Sequence, residues 1–343
     1  MRGTILYGAG DVRVEDRDDP KITQPTDAII RTVAACVCGS DLWPYRGVDR
    51  VTEPRPIGHE YVGIVEEVGD QVDKIKPGQF VIGGFYSSDG TCPHCRAGFH
   101  YSCDNRSGFD GCQSEYIRIP HADGTLFATP EQPDPAMIPS LLTLSDVMST
   151  GWHAAVAAGV RPGSTVAVVG DGAVGLSAVL AARELGASKI IAMSRHADRQ
   201  RLARDFGATD IVAERGDDGV KMIMELTGGV GADAVCEAVG TDESMKQSIR
   251  SVRPGGVVGC VGVPHGVELP AQEMFFRNVG VKGGPASVPQ YLPDLLERVW
   301  SGSIEPGKVF DLQLPLEDAA EAYRAMDTRE AIKAVLWPAG HTS

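Results

Sequence analysis

At 343 residues the chain exceeds the size at which one hydrophobic core normally splits, so two domains are expected, and 43% hydrophobic residues can fill both. Its 32 basic against 46 acidic residues give a net charge of −14, which argues against partners that are nucleic acid or anionic membrane, and no basic run of that kind occurs. No stretch approaches the roughly 20 apolar residues of a membrane span, and the opening MRGTILYGAGDVRVED lacks a signal-peptide core before its charges, so a cytoplasmic location is the expectation.

From position 1 to about 143 the chain reads as strand-rich, with alternating stretches at 27–33 and 61–68 between Gly and Pro turns. Two short clusters stand out here, Cys38-Gly39-Ser40-Asp41 and Pro56-Ile57-Gly58-His59-Glu60. Taken singly, neither is decisive. A buried cysteine is ordinarily a small hydrophobe, and a lone histidine is often a satisfied core residue.

The next segment, SSDGTCPHCRAGFHYSC, carries Cys92, Cys95 and Cys103 among Pro, Gly and polar residues, as in a loop folded by a metal. Three thiolates do not close a tetrahedral zinc site. Stepping back from Cys92 by the Cys92–Cys95 spacing lands on Asp89, a valid oxygen ligand, and the preferred set is Asp89, Cys92, Cys95 and Cys103. His94 and His100 are alternative fourth ligands, and a metal-free loop with reduced thiols stays open. After the Pro-rich stretch 129–139 comes Asp146, ahead of Val147-Met148-Ser149-Thr150-Gly151-Trp152, which by itself reads as a helix cap.

From 144 to 285 strands at 166–169, 190–193, 211–212, 234–237, 257–261 and 279–282 alternate with helices, giving an α/β fold: a six-stranded, doubly wound parallel sheet of the Rossmann kind. Between the first strand and an Ala/Leu-rich helix lies Gly170-Asp171-Gly172-Ala173-Val174-Gly175, a dinucleotide fingerprint in its proper setting. Gly170 permits the turn, Gly172 lets backbone approach a pyrophosphate, Gly175 lets helix and strand pack, and the helix N-terminus offers N–H groups to phosphate.

An NAD site usually places an acid about 20 residues beyond the glycines, where it accepts from the ribose 2′-hydroxyl. Here Ser194, Arg195 and His196 stand there instead, with Arg199 one turn on, so the expected cofactor is NADP(H). Val239-Gly240 and Val261-Gly262-Val263 end the fourth and fifth strands and are candidates to flank the nicotinamide. The last stretch, 286–343, holds helices at 289–300 and 316–326 and is expected to return to the first domain.

Cys38-Gly39-Ser40-Asp41, Gly58-His59-Glu60, the cysteine lobe ending in Cys95-Arg96-Ala97-Gly98, Ser149 to Ala154 and the glycine loop occur in an order that resembles the zinc-containing medium-chain alcohol dehydrogenases. The resemblance covers nearly the whole chain. It implies a GroES-like catalytic domain over 1–143 with a structural zinc lobe at 89–103, a nucleotide domain over 144–285, and a catalytic zinc held by Cys38, His59 and Asp146. Positions 89 and 146, both often Cys in the family, are Asp here. One thiolate, one carboxylate and a neutral imidazole still neutralise Zn²⁺, and three protein ligands leave the fourth position open.

The resemblance further implies hydride transfer between an alcohol and the nicotinamide, with Ser40 as the hydroxyl relaying the proton and Glu60 as a supporting group or transient ligand. Position 43, where many members continue the relay with His, is Trp. Trp43, Phe85 and Trp152 suggest an apolar or aromatic alcohol, ketone or aldehyde as substrate. A polyol, sugar or amino alcohol is the nearest alternative. Cys38, His59 and Asp146 argue against a zinc-free quinone or enoyl reductase, and the assembled site argues against a non-catalytic NADP-binding protein. A homo-oligomer, dimer or tetramer, is implied by the family.

Overall fold

The computed structural model describes residues 1–109 and 111–338. The chain divides into two units, Met1–Asp146 with Ser287–Ser343, and Val147–Ala286.

The first unit is built on strand Ala28–Cys36, whose Ile, Val and Thr side chains suit a pleated, buried surface. It pairs antiparallel with Glu60–Val68, and Phe80–Gly83 and Leu126–Ala128 extend the sheet on that side. On its other side lie Ala334–Trp337 and then Leu312–Pro315, while Tyr116–Ile119 pairs with its first half. Ala28, Ile30, Tyr61, Val65, Ile117 and Ile119 fill one core of this unit.

Register is what matters for function. Cys36 sits opposite Glu60 on one side and opposite Val335 on the other. The chain just after Cys36, just before Glu60 and just before Ala334 therefore converges at one end of the sheet.

The second unit carries six parallel strands in the order Asp210–Val212, Lys189–Met193, Thr165–Val169, Ala232–Glu237, Val252–Cys260, Gly280–Gly283. This is the doubly wound sheet expected from the sequence. The fifth strand starts earlier than its apolar core suggests, and Arg253-Pro254-Gly255-Gly256 is absorbed by a register shift against Ala232 and Ala234. In the first unit, Leu316 opens a 3₁₀ turn, Leu316–Asp318, and the α-helix proper runs Ala319–Asp327.

Helix Ala173–Glu184 is rich in Ala and Leu, strong helix formers. Gly175 lets it sit on the loop: a Cβ there would lie 1.9 Å from the Gly170 carbonyl oxygen. Gly151 does the same where helix Val147–Ala157 crosses it, since a Cβ would come within 2.5 Å of Ala178 N. Among the described residues no helix is long and apolar enough to cross a membrane.

Candidate active site

The sheet register delivers the first cluster. Cys38 follows the end of Ala28–Cys36 and His59 precedes the start of Glu60–Val68, so the two side chains meet although they flank different strands. Asp146 arrives after helix Ile138–Thr143, which packs on both strands. Cys38 Sγ lies 3.6 Å from Asp146 Oδ2, and His59 Nε2 lies 3.3 Å from the same oxygen. Those are the ligand–ligand separations of a tetrahedron with zinc bonds of about 2.0–2.3 Å, and so the residues fit the ion.

Asp41, whose role the sequence does not announce, orders this cluster. Its Oδ2 accepts from Cys38 N–H at 3.0 Å, and its Oδ1 faces His59 Nδ1 at 3.4 Å. The carboxylate thereby holds the ring so that Nε2 points to the other ligands, the usual outer-shell arrangement for a metal-binding histidine. Burial opposes a charged ring here, but Asp41, Cys38 and Asp146 together raise the His59 pKa well above the ordinary imidazole value. Burial and the neighbouring Asp146 push the Cys38 thiol up.

Glu60 is fully buried and contributes an oxygen to the same cluster. Behind it stands Lys333, equally buried, whose Nζ donates to Glu60 Oε1 at 2.7 Å and to the Val37 carbonyl at 3.1 Å. A cleft of about 260 Å³ beside His59 is lined by Ser40, Asp41, Asp49, Arg55, Ile57 and Phe109, among others. Phe85 packs edge-on to His59 at 6.2 Å between ring centres, and Trp43 sits on the short helix Leu42–Tyr45 under the Arg46 guanidinium, but neither lines this cleft. Trp152 is buried in helix Val147–Ala157 of the other unit.

The second cluster brings Asp89, Cys92, Cys95 and Cys103 together, all ligand atoms within 4.8 Å of one another. Cys92 Sγ and Cys95 Sγ are 3.5 Å apart, and Asp89 Oδ1 is 3.5 Å from Cys95 Sγ, again tetrahedral edge lengths. Asn105 Nδ2 donates to Asp89 Oδ2 at 2.6 Å, and Thr91 and Cys92 N–H donate to Oδ1. Burial works against ionisation of Asp89, yet these donors hold its pKa below the ordinary carboxylate value. His94 turns to Asp104 at 3.5 Å and His100 to Ser287 at 2.7 Å, so neither joins the cluster. Asp89→Ala should therefore lower zinc affinity of the lobe by at least about 100-fold and make its three thiols reactive to a thiol reagent, as read by metal analysis and thiol titration.

In the second unit the first intrahelical bond, Leu176 N–H to Gly172 O at 2.9 Å, leaves the N–H groups of Ala173, Val174 and Gly175 at the helix mouth. A Cβ built on Gly172 meets nothing within 4 Å, so space is kept where a pyrophosphate would approach. Gly170 takes φ +121°, a conformation L side chains rarely adopt. Arg195 is exposed, but Arg199 is buried and donates to the Asp171 carbonyl at 3.1 Å with the Asp171 carboxylate 3.5 Å away.

Val239 and Gly240 are held by Glu237, a buried carboxylate the sequence pattern did not flag. Its Oε1 accepts from Val239 N–H, Gly240 N–H and Ser244 Oγ at 2.9, 2.8 and 2.7 Å, and its carbonyl oxygen takes Val261 N–H at 2.9 Å. Gly262 packs directly under Gly240, where a Cβ would lie 2.2 Å from Gly240 N, while Val263 is half exposed. The two loop ends thus form one brace at the carboxyl edge of the sheet.

Residues 24–131 match the alcohol dehydrogenase GroES-like domain, and residues 173–301 match the zinc-binding dehydrogenase domain. Zinc-type alcohol dehydrogenase B of Aspergillus flavus is 33% identical over 99% of this chain and 82% of its own. L-threonine 3-dehydrogenase of Bacillus subtilis is 31% identical over 91% of each. Among solved structures, the alcohol dehydrogenase TADH from Thermus sp. ATN1 is 33% identical with a TM-score of 0.90, covering 98% of this chain and 99% of that one.

Proposed function

Because the chain belongs to the zinc-containing medium-chain alcohol dehydrogenase family, we propose that it transfers hydride between NADP(H) and a small alcohol, with the corresponding ketone or aldehyde as the oxidised partner. The observation that carries this reading is the convergence of Cys38 Sγ, His59 Nε2 and Asp146 Oδ2 at tetrahedral ligand spacing.

Cys38, His59 and Asp146 would hold the catalytic ion, and Asp89, Cys92, Cys95 and Cys103 the structural one. Bound there, zinc supplies a Lewis acid with a free coordination position, and the nicotinamide supplies the hydride acceptor. Ser40 lines the same cleft as His59, so its hydroxyl is placed to hold the substrate oxygen and take its proton. Asp41 fixes the His59 tautomer, and Lys333 holds Glu60 behind the ligands. The glycine loop and helix mouth at Ala173, Val174 and Gly175 take the pyrophosphate, and Arg195 takes the 2′-phosphate. Ser40→Ala should lower kcat by about 100-fold with little change in zinc content, the usual scale for a lost proton-transfer group.

The apolar substrate read from Trp43, Phe85 and Trp152 draws no support from the cleft. Asp49 and Arg55 line it, which favours a polar alcohol, such as an amino alcohol or polyol, over an aryl one. Similarity to an L-threonine 3-dehydrogenase points the same way. Thiolate ligands require reduced cysteines, which supports a cytoplasmic setting. Phe275 and Phe276, exposed on helix Ala271–Arg277, are consistent with burial in a homo-oligomer. Zinc quantification together with NADPH oxidation across carbonyl compounds bearing amino, hydroxyl, aryl and alkyl groups tests the whole reading. Absence of both zinc and carbonyl-dependent oxidation overturns it.

A further inference from the structure

The rule that assigns NADP looks for an acid at the end of the second sheet strand and finds Ser194. In the folded unit that corner holds a carboxylate nonetheless. Ser194 Oγ donates to Asp171 Oδ2 at 2.8 Å, so the glycine loop brings its own acid to the strand end. Ser194 is buried, its hydroxyl also accepts from His196 N–H at 3.3 Å, and Gln200 Nε2 caps its carbonyl at 2.8 Å, so the meeting point is firmly built.

Arg199 closes the arrangement. Its Nη1 donates to the Asp171 carbonyl at 3.1 Å and stands 3.5 Å from Oδ1, with only 11% of its side chain exposed. A cation committed in this way neutralises Asp171 before it can serve a phosphate. Arg195, exposed on the next loop and without an ion-pair partner among the described residues, is the cation left for that task.

A carboxylate offers about four acceptor positions, of which Ser194 takes one and Arg199 another. Asp171 keeps 12% of its side chain exposed and precedes Gly172, whose missing Cβ opens onto free space. The acid therefore stands at the rim of the room kept for a dinucleotide.

We propose that Asp171 is a specificity-determining residue of the cofactor site: its carboxylate, carried to Ser194 by the glycine loop, replaces the strand-end acid of an NAD site, accepts from the ribose 2′-hydroxyl and keeps NAD(H) in use beside NADP(H). This rests on the reading of the second unit as a dinucleotide site. A neutral ribose gains an acceptor from Asp171, whereas a 2′-phosphate is brought close to a carboxylate whose counter-ion, Arg199, is already committed, so that Arg195 alone is left to hold it.

The test is a fluorescence titration of the zinc-loaded protein with NADPH and with NADH, without substrate. In Asp171→Asn the side-chain oxygen still accepts from Ser194 and the backbone contact to Arg199 remains, but the charge is gone. The ratio Kd(NADH)/Kd(NADPH) should rise by at least about tenfold over the unsubstituted protein, through weaker NADH and tighter NADPH binding. A smaller rise, no change or a fall overturns the proposal. Asp171→Ser, read the same way, replaces the first variant if that one melts early. Arg195→Ala separates the two readings: it should weaken NADPH alone, and if it leaves NADPH binding intact the 2′-phosphate assignment fails while the Asp171 result stands on its own ratio.

Discussion

Asp146→Ala should give a folded protein with about one zinc equivalent instead of about two, and a turnover at least about 1,000-fold lower. Asp146 Oδ2 is the atom that both other ligands approach, 3.6 Å from Cys38 Sγ and 3.3 Å from His59 Nε2. Alanine leaves one thiolate and one imidazole of the three ligands, and the carboxylate still in the cluster, Glu60, is already paired with Lys333. Zinc sites normally close with at least three protein groups, so the ion should wash out on dialysis. Asp146→Cys restores both the ligand count and the charge, with a softer donor, and should recover zinc and most of the turnover. Elemental analysis and steady-state kinetics on the three proteins decide it. Full zinc and undiminished turnover in Asp146→Ala would remove the carboxylate from the site.

The parts of the candidate sites that are local in sequence were readable from the chain alone. Strand, glycine loop and helix follow one another between Thr165 and Glu184, and the turn at Gly170 and the close packing of Gly175 on its carbonyl involve residues near in sequence. Cys92 and Cys95 share one turn in the same way. Grouping Cys38 with His59 and Asp146 needed the family resemblance, because only the pairing of Cys36 with Glu60 brings the first two together. Lys333 was illegible for the same reason: it reaches Glu60 through the pairing of Val335 with Cys36, and no spacing rule relates positions so far apart. Asp171 was in plain view as the second residue of the loop. The spacing rule for the ribose acid counts forward from the glycines, so it cannot register a carboxylate delivered from within them. The aromatic residues are hard to read for a different reason, since cores and pockets use the same side chains, and none of Trp43, Phe85 and Trp152 lines the cleft beside His59.

Lys333→Met should be the most destabilising single change outside the metal ligands. Lys333 and Glu60 are 1% and 0% exposed and joined at 2.7 Å through Oε1, while Glu60 Oε2 has no hydrogen-bond partner among the described residues. Burial opposes a charge on Lys333, but Cys36, Glu60 and Cys38 outweigh it and hold the ammonium form. Burial likewise raises the Glu60 pKa, and Lys333 is the main group working against that rise. Methionine keeps most of the volume of the stem and removes the charge, so the loss comes from Glu60, left buried without its counter-ion beside Asp146. Breaking such a pair costs about 3–5 kcal/mol, or a fall in apparent Tm on the order of 10 °C for a unit of this size. The double variant Lys333→Met with Glu60→Gln replaces the pair by two uncharged groups and should recover most of that loss, because an isolated buried charge is what the single variant suffers from. Thermal melts of the zinc-loaded proteins measure both changes. Equal melting points for the single and double variants would mean that Lys333 stabilises the fold through its contact with the Val37 carbonyl and not through Glu60.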